Sequence, residues 1–144
     1  MGALLLVGGL AAPVAAQGAG GPAVTVYKSP SCECCGDWIT HLRAEGFTVT
    51  AIDLDDMDAV KAENGVLHSL ASCHTALVGG YVIEGHVPAA DIQRLLAERP
   101  PVRGLTAPGM PKKSPGMQAP GKVPEGYDVL SFDGNGNTRV FSRY

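Results

Sequence analysis

Residues 24–42, VTVYKSPSCECCGDWITHL, hold the transition that decides the fold. Val24 to Tyr27 alternates as a strand and Ser29-Pro30-Ser31 breaks it; Trp38, Ile39 and Leu42 then recur at helical spacing until Gly46 ends the helix. Cys32, Cys34 and Cys35 fall at the start of that helix. There the backbone N–H groups lack partners and the dipole favours negative charge, so the C-x-x-C thiols Cys32 and Cys35 are expected to ionise readily. Adjacent cysteines rarely pair with each other, and three thiols within one turn suit a soft metal ion or a redox partner better than a bridge that staples the fold.

Working outward, Phe47 to Leu54 alternates with Phe47, Val49 and Ala51 on one face, and Asp55-Asp56 caps a second helix through Ala59, Val60 and Ala62 to Asn64-Gly65. Thr75 to Val78, the Gly79-Gly80 turn and Tyr81 to Glu84 read as a hairpin. Pro88 opens a third helix with Ala89, Ile92, Leu95 and Leu96 on one stripe, stopped by Pro100-Pro101. The order is β-α-β-α-β-β-α over residues 23–101, an α/β arrangement that resembles the thioredoxin fold. Right-handed βαβ crossovers leave few other topologies. In that fold the end of the first strand, the loop entering the third and the exit of the fourth lie together. Here those places hold Cys32 to Cys35, Cys73-His74 and Gly85-His86.

Residues 102–144 are rich in Gly, Pro and Lys and repeat Ala-Pro-Gly-Met as Ser-Pro-Gly-Met at Met110 and Met117. Too few apolar residues remain for a separate core, so this C-terminal extension is expected to pack on the domain. Tyr127 to Phe132, a turn at Asp133 to Asn137 and Thr138 to Tyr144 predict a hairpin that extends the sheet or clasps its edge.

With 144 residues, 45% hydrophobic and 17% charged, the chain fits one domain whose core needs no disulfides. A formal charge of −3 and the absence of any Lys/Arg cluster exclude nucleic acid and anionic lipid as expected partners. Residues 1–16 are apolar and end in Val14-Ala15-Ala16, a small-x-small site of the secretory type, although a basic n-region is missing. They predict a signal peptide followed by a flexible lead-in, residues 17–22, and no membrane insertion after processing.

The candidate site residues carry distinct chemistry. Cys32 and Cys35 have the spacing of a redox dithiol, whereas the additional Cys34 favours Cu(I), which gains from every further soft thiolate. Cys73 stands where thioredoxin-like enzymes place a cis-proline; it reads as a ligand, with a resolving cysteine as the alternative. His74 is a ligand or an outward strand-entry residue. His86 is a ligand or buttresses one. Met110 and Met117 offer thioethers to Cu(I), or are ordinary loop residues. Trp38 forms a wall beneath the site, and Glu33 faces solvent. His41 lies ~9 Å further along the helix, beyond a shared coordination sphere. His68 is assigned to the surface by default.

The segments Cys32-Glu33-Cys34-Cys35-Gly36-Asp37-Trp38, Ser72-Cys73-His74-Thr75-Ala76, Ile83 to Ala89 and Pro108-Gly109-Met110-Pro111 to Gly116-Met117 resemble the CopG-type copper-resistance family. The resemblance runs from Val24 to about Tyr144. It implies a periplasmic, thioredoxin-like domain with a C-terminal extension, binding one or several copper ions as Cu(I) or Cu(II) at the C-x-C-C motif. It further implies a part in bacterial copper resistance, interconversion of the two oxidation states, and copper efflux or other periplasmic copper proteins as partners. Cys32, Cys34, Cys35 and Cys73 carry over as ligands, with His74, His86, Met110 and Met117 completing or shielding the site. Two other readings stay open: a thiol-disulfide oxidoreductase in which Cys32 attacks and Cys35 resolves, and a zinc site of four cysteines or of three and a histidine.

Overall fold

The computed structural model describes residues 20–144, so the expected signal peptide and the lead-in up to residue 19 lie outside the described residues. The first crossover forms as anticipated. Strand β1 (Ala23–Lys28) runs into helix α1 (Glu33–Ala44), and β2 (Thr48–Asp53) returns parallel to β1, with Val24 opposite Val49 and Val26 opposite Ala51. Helix α2 (Met57–Glu63) and a 3-10 turn (His68–Leu70) lead to the hairpin of β3 (Thr75–Val78) and β4 (Tyr81–Glu84). Helix α3 (Ala89–Glu98), β5 (Gly104–Thr106), β6 (Asp128–Phe132) and β7 (Thr138–Arg143) complete one seven-stranded sheet in the order β2-β1-β3-β4-β5-β6-β7.

Strand alternation divides the core. Val24, Val26, Ala76, Val78, Ile83 and Leu105 face α1 and α3, where Trp38, Ile39, Leu42, Ile92 and Leu95 close over them. Leu77, Val82 and Phe132 point the other way, against Val66 and Leu70. The two helices on the first face are joined at their tops: Trp38 Nε1 donates to the Val87 carbonyl (2.9 Å) and the Ala89 N–H donates to His41 Nε2 (3.1 Å). His41 is thus a clasp between helices, outside the cysteine cluster.

Three features go beyond what the sequence pattern conveys. Helix α2 forms behind its Asp56 cap, and no residue of it, Ala59, Val60 and Ala62 included, is fully buried. Its inward side chain is Lys61, whose alkyl stem covers the sheet while its ammonium finds a carboxylate. Ala51 is exposed although Phe47 and Val49 are buried, because β2 is an edge strand whose far half runs past the cover of α1. The extension also supplies a strand that alternation missed. Gly104-Leu105-Thr106 is fully buried and parallel to β4, but three residues in a Gly/Pro-rich stretch carry too little period to be seen. Through it the β6–β7 hairpin extends the sheet. Among the described residues no helix is long and apolar enough to cross a membrane.

Candidate metal centre

Helix α1 begins with Cys32 at its N-cap, where the side chain makes no capping bond. A hydrogen bond from the Cys32 N–H to the Ser29 carbonyl (3.1 Å) turns the chain off β1 and aims the cysteines at the end of the sheet. The loop entering β3 delivers Cys73 to the same place. The sulfurs of Cys32, Cys34, Cys35 and Cys73 all lie within 4.8 Å of one another. Cys35 is buried, Cys32, Cys34 and Cys73 are partly exposed, and Glu33 points to solvent.

Two of these sulfurs are already joined. Cys32 and Cys35 form a disulfide, their Cα atoms 5.4 Å apart, leaving Cys34 and Cys73 as free thiols. The four-thiolate set expected from sequence therefore appears in an oxidised state, because C-x-x-C on the first turn of a helix brings its Cα atoms within bridging distance. Burial, reinforced by the neighbouring Cys34, pushes the Cys73 thiol up to about 12. Without a cation beside it, Cys73 is a thiol rather than a thiolate at neutral pH; coordination would supply the missing positive charge.

Both histidines turn inward. His74 and His86 are fully buried, and Cys73 Sγ lies 3.2 Å from His74 Nδ1 and 3.2 Å from His86 Nε2. His86 Nδ1 donates to the Pro115 carbonyl (2.6 Å), which fixes the tautomer and leaves the Nε2 lone pair facing the sulfur. Burial holds both imidazoles below the usual histidine range, His74 well below, helped there by His86 and Lys61. His74 Nε2 is buried without a hydrogen-bond partner. The His74 ring rests 4.3 Å, centroid to centroid, from Trp38, which forms the expected wall.

The loop carrying Cys73 is anchored by a carboxylate that sequence reasoning passed over. Glu84, fully buried on β4, accepts from the Ser72 N–H (2.9 Å), from Thr75 Oγ1 (2.5 Å) and from Lys61 Nζ (2.6 Å). Ser72 and Thr75 flank Cys73-His74, so one side chain pins both ends of the ligand pair. The signal available in the sequence was a lone Glu closing the apolar run Tyr81-Val82-Ile83. Gly85 follows with φ +74°, and a Cβ there would stand 2.5 Å from the Ser72 side chain and 2.8 Å from the Ala107 carbonyl. Only glycine lets β4 bend beneath this loop to place His86.

The extension closes over the same end. Ser72 Oγ donates to the Gly109 carbonyl (2.5 Å), and Met110 Sδ lies 3.8 Å from Ser72 Oγ on the rim of a groove of about 680 Å³ that also exposes Cys73, Lys61 and His68. Met117 instead lines a separate cavity with Asp37, His41 and Pro88. Between them Gly116, at φ +87°, passes so near the site that a Cβ would stand 2.7 Å from Trp38 N and 2.9 Å from His86 Nδ1.

With the disulfide reduced, four sulfurs and two neutral imidazoles, that of His74 with its Nε2 unpartnered, form a donor set that fits a soft or borderline metal ion. Cys73 belongs to two groupings, one with the three other cysteines and one with His74 and His86. The family described as protein of unknown function DUF411 matches residues 70–117, which span Cys73, both buried histidines and both methionines of the repeat. Two solved structures, copper resistance protein CopG in Form 2 and in Form 1, are each 45% identical with a TM-score of 0.78. Each covers 85% of this chain, which in turn covers 98% and 96% of them. No curated protein matches.

Proposed function

The chain belongs to the CopG copper-resistance family, and from that premise we propose that it is an exported, periplasmic protein that binds copper at the cysteine cluster and cycles it between Cu(I) and Cu(II). The observation that carries this reading is the convergence of four sulfurs from two remote segments beside two buried imidazoles. Thiolates stabilise Cu(I), and neutral imidazoles suit Cu(II), so a mixed set tolerates both states. One or several ions fit the reading, since a thiolate such as Cys73 can bridge. Copper is the substrate here, held for exchange with efflux or other periplasmic copper proteins.

The deciding experiment is an anaerobic Cu(I) titration with metal analysis on the reduced protein, repeated on Cys34→Ser and Cys73→Ser. Both substitutions lower the copper content; equal content in all three proteins removes these residues from the site. Oxidising and re-reducing the loaded protein without loss of metal supports cycling, and loss on each pass reduces the function to storage or delivery. Fractionation of expressing cells tests the periplasmic location.

The Cys32–Cys35 disulfide favours one rival, a thiol-disulfide oxidoreductase acting on proteins. Against it, the place of a substrate-holding cis-proline is taken by Cys73-His74, and among the described residues no peptide bond is cis. Insulin reduction by the metal-free dithiol form at rates typical of a dithiol reductase would promote the rival.

A further inference from the structure

The C-x-C-C motif divides into two pairs with different chemistry. Cys32 and Cys35 are bonded to each other, one partly exposed at the N-cap and the other buried one turn inside the helix. Cys34 and Cys73 keep free thiols, and Cys73 also contacts both buried histidines. Forming the disulfide therefore withdraws two sulfurs from the cluster and leaves Cys34, Cys73, His74 and His86 as donors. The third cysteine of the motif has a purpose in this division, because a C-x-x-C pair alone would lose its grip on a metal each time it was oxidised.

We propose that Cys32 and Cys35 are the electron source of the site: their dithiol reduces Cu(II) to Cu(I) while Cys34, Cys73, His74 and His86 retain the metal. The step balances as two S–H bonds broken, one S–S bond formed, two protons released to solvent and one electron passed to each of two Cu(II) ions. The two ions can be reduced together or in turn, since Cys34, Cys73, His74 and His86 stay available as donors once the bridge has formed. The disulfide in the structure is then the spent form, and an external dithiol or small thiol restores the active form by exchange at Cys32, the more exposed sulfur of the pair.

This inference rests on the copper-binding reading, and the test separates the two. Reduced protein, with its four thiols confirmed, is mixed anaerobically with excess Cu(II) and a chromogenic Cu(I) chelator. Remaining thiols are then alkylated and mapped by mass spectrometry. The expected result is about two Cu(I) per chain, the two-electron stoichiometry of one disulfide, with Cys34 and Cys73 alkylated and Cys32–Cys35 bridged. Cys32→Ser and Cys35→Ser should each slow Cu(I) formation by roughly tenfold or more, a barrier change of 1.4 kcal/mol or more, and leave the remaining cysteine of the pair alkylated rather than bridged, while direct Cu(I) titration of the reduced parent supplies the control for copper binding. Cu(I) uptake with all four thiols retained after Cu(II), or a bridge mapped to Cys34–Cys73, overturns the inference and leaves copper binding standing. Failure to take up Cu(I) at all overturns both.

Discussion

Replacing Lys61 by Met tests whether the Cys73 loop is held by a buried ion pair. The Lys61 side chain is 11% exposed and Glu84 is fully buried, so solvent screens their 2.6 Å contact poorly. Removing one partner of a buried pair typically costs 3–5 kcal/mol, because the other charge is left uncompensated. Glu84 keeps its bonds from Ser72 N–H and Thr75 Oγ1, which places the loss near the lower bound, about 3 kcal/mol. That is a large share of the roughly 5–15 kcal/mol that stabilises a domain, and for a chain of this size it lowers Tm by roughly 6–12 °C. Urea unfolding of the metal-free, disulfide-intact protein gives the value directly. The double variant Lys61→Met with Glu84→Gln removes both charges while keeping the shape, and it should recover about 2 kcal/mol of the loss. A single variant within about 0.5 kcal/mol of the parent, the behaviour of an exposed pair, would refute the reasoning.

Gly116→Ala forces a Cβ against Trp38 and His86 at a left-handed backbone position; we expect a loss of about 2–4 kcal/mol from combined strain and overpacking, and an NMR shift of the His86 ring as its bond to Pro115 breaks. An unchanged His86 spectrum would show that the strap does not touch the site. Burial holds His41, His74 and His86 below 6.5, the value the unfolded chain takes up protons at. The unfolded state therefore binds more protons just below that pH, so stability is complete above about 6.5 and falls as the pH drops toward about 5. Urea midpoints of the metal-free protein across this window should decline with acidification, and a flat profile counts against buried neutral imidazoles.

The first crossover, the hairpin and the third helix were legible because each is long enough to show its period and carries its own stop signal, as at Gly46, Gly79-Gly80 and Pro100-Pro101. The meeting of Cys73 with the C-x-C-C run followed from topology alone, since β3 runs antiparallel to β1 and so begins beside the point where β1 ends, with Thr75 opposite Tyr27. Local pattern failed where a long-range partner decided the outcome. Lys61 looks like a solvated residue until Glu84 is seen beneath it, and Glu84 looks like the polar end of a strand until Ser72 and Thr75 arrive. Residues 104–106 become a strand only because β4 and β6 offer their edges on either side. The disulfide is a matter of redox state, which residue order does not encode.

Alternation along β3 explains why the anchor and the ligands do not compete. His74 and Ala76 face α1, so the imidazole reaches the sulfurs and Trp38; Thr75 and Leu77 face the opposite layer, so the hydroxyl reaches Glu84. A single peptide step thus separates the candidate metal donors from the ion pair that fixes their position. Glu84 sits on the face away from the cysteines, where its charge is answered by Lys61 rather than drawn toward a bound cation. If that division holds, Lys61→Met should weaken the fold far more than Cys34→Ser does, and Cys34→Ser should weaken copper uptake while leaving the unfolding free energy of the metal-free protein, measured in urea, within about 0.5 kcal/mol of its parent. A reversal of that ranking would mean that the sulfur cluster itself, and not the carboxylate behind it, holds this end of the sheet together.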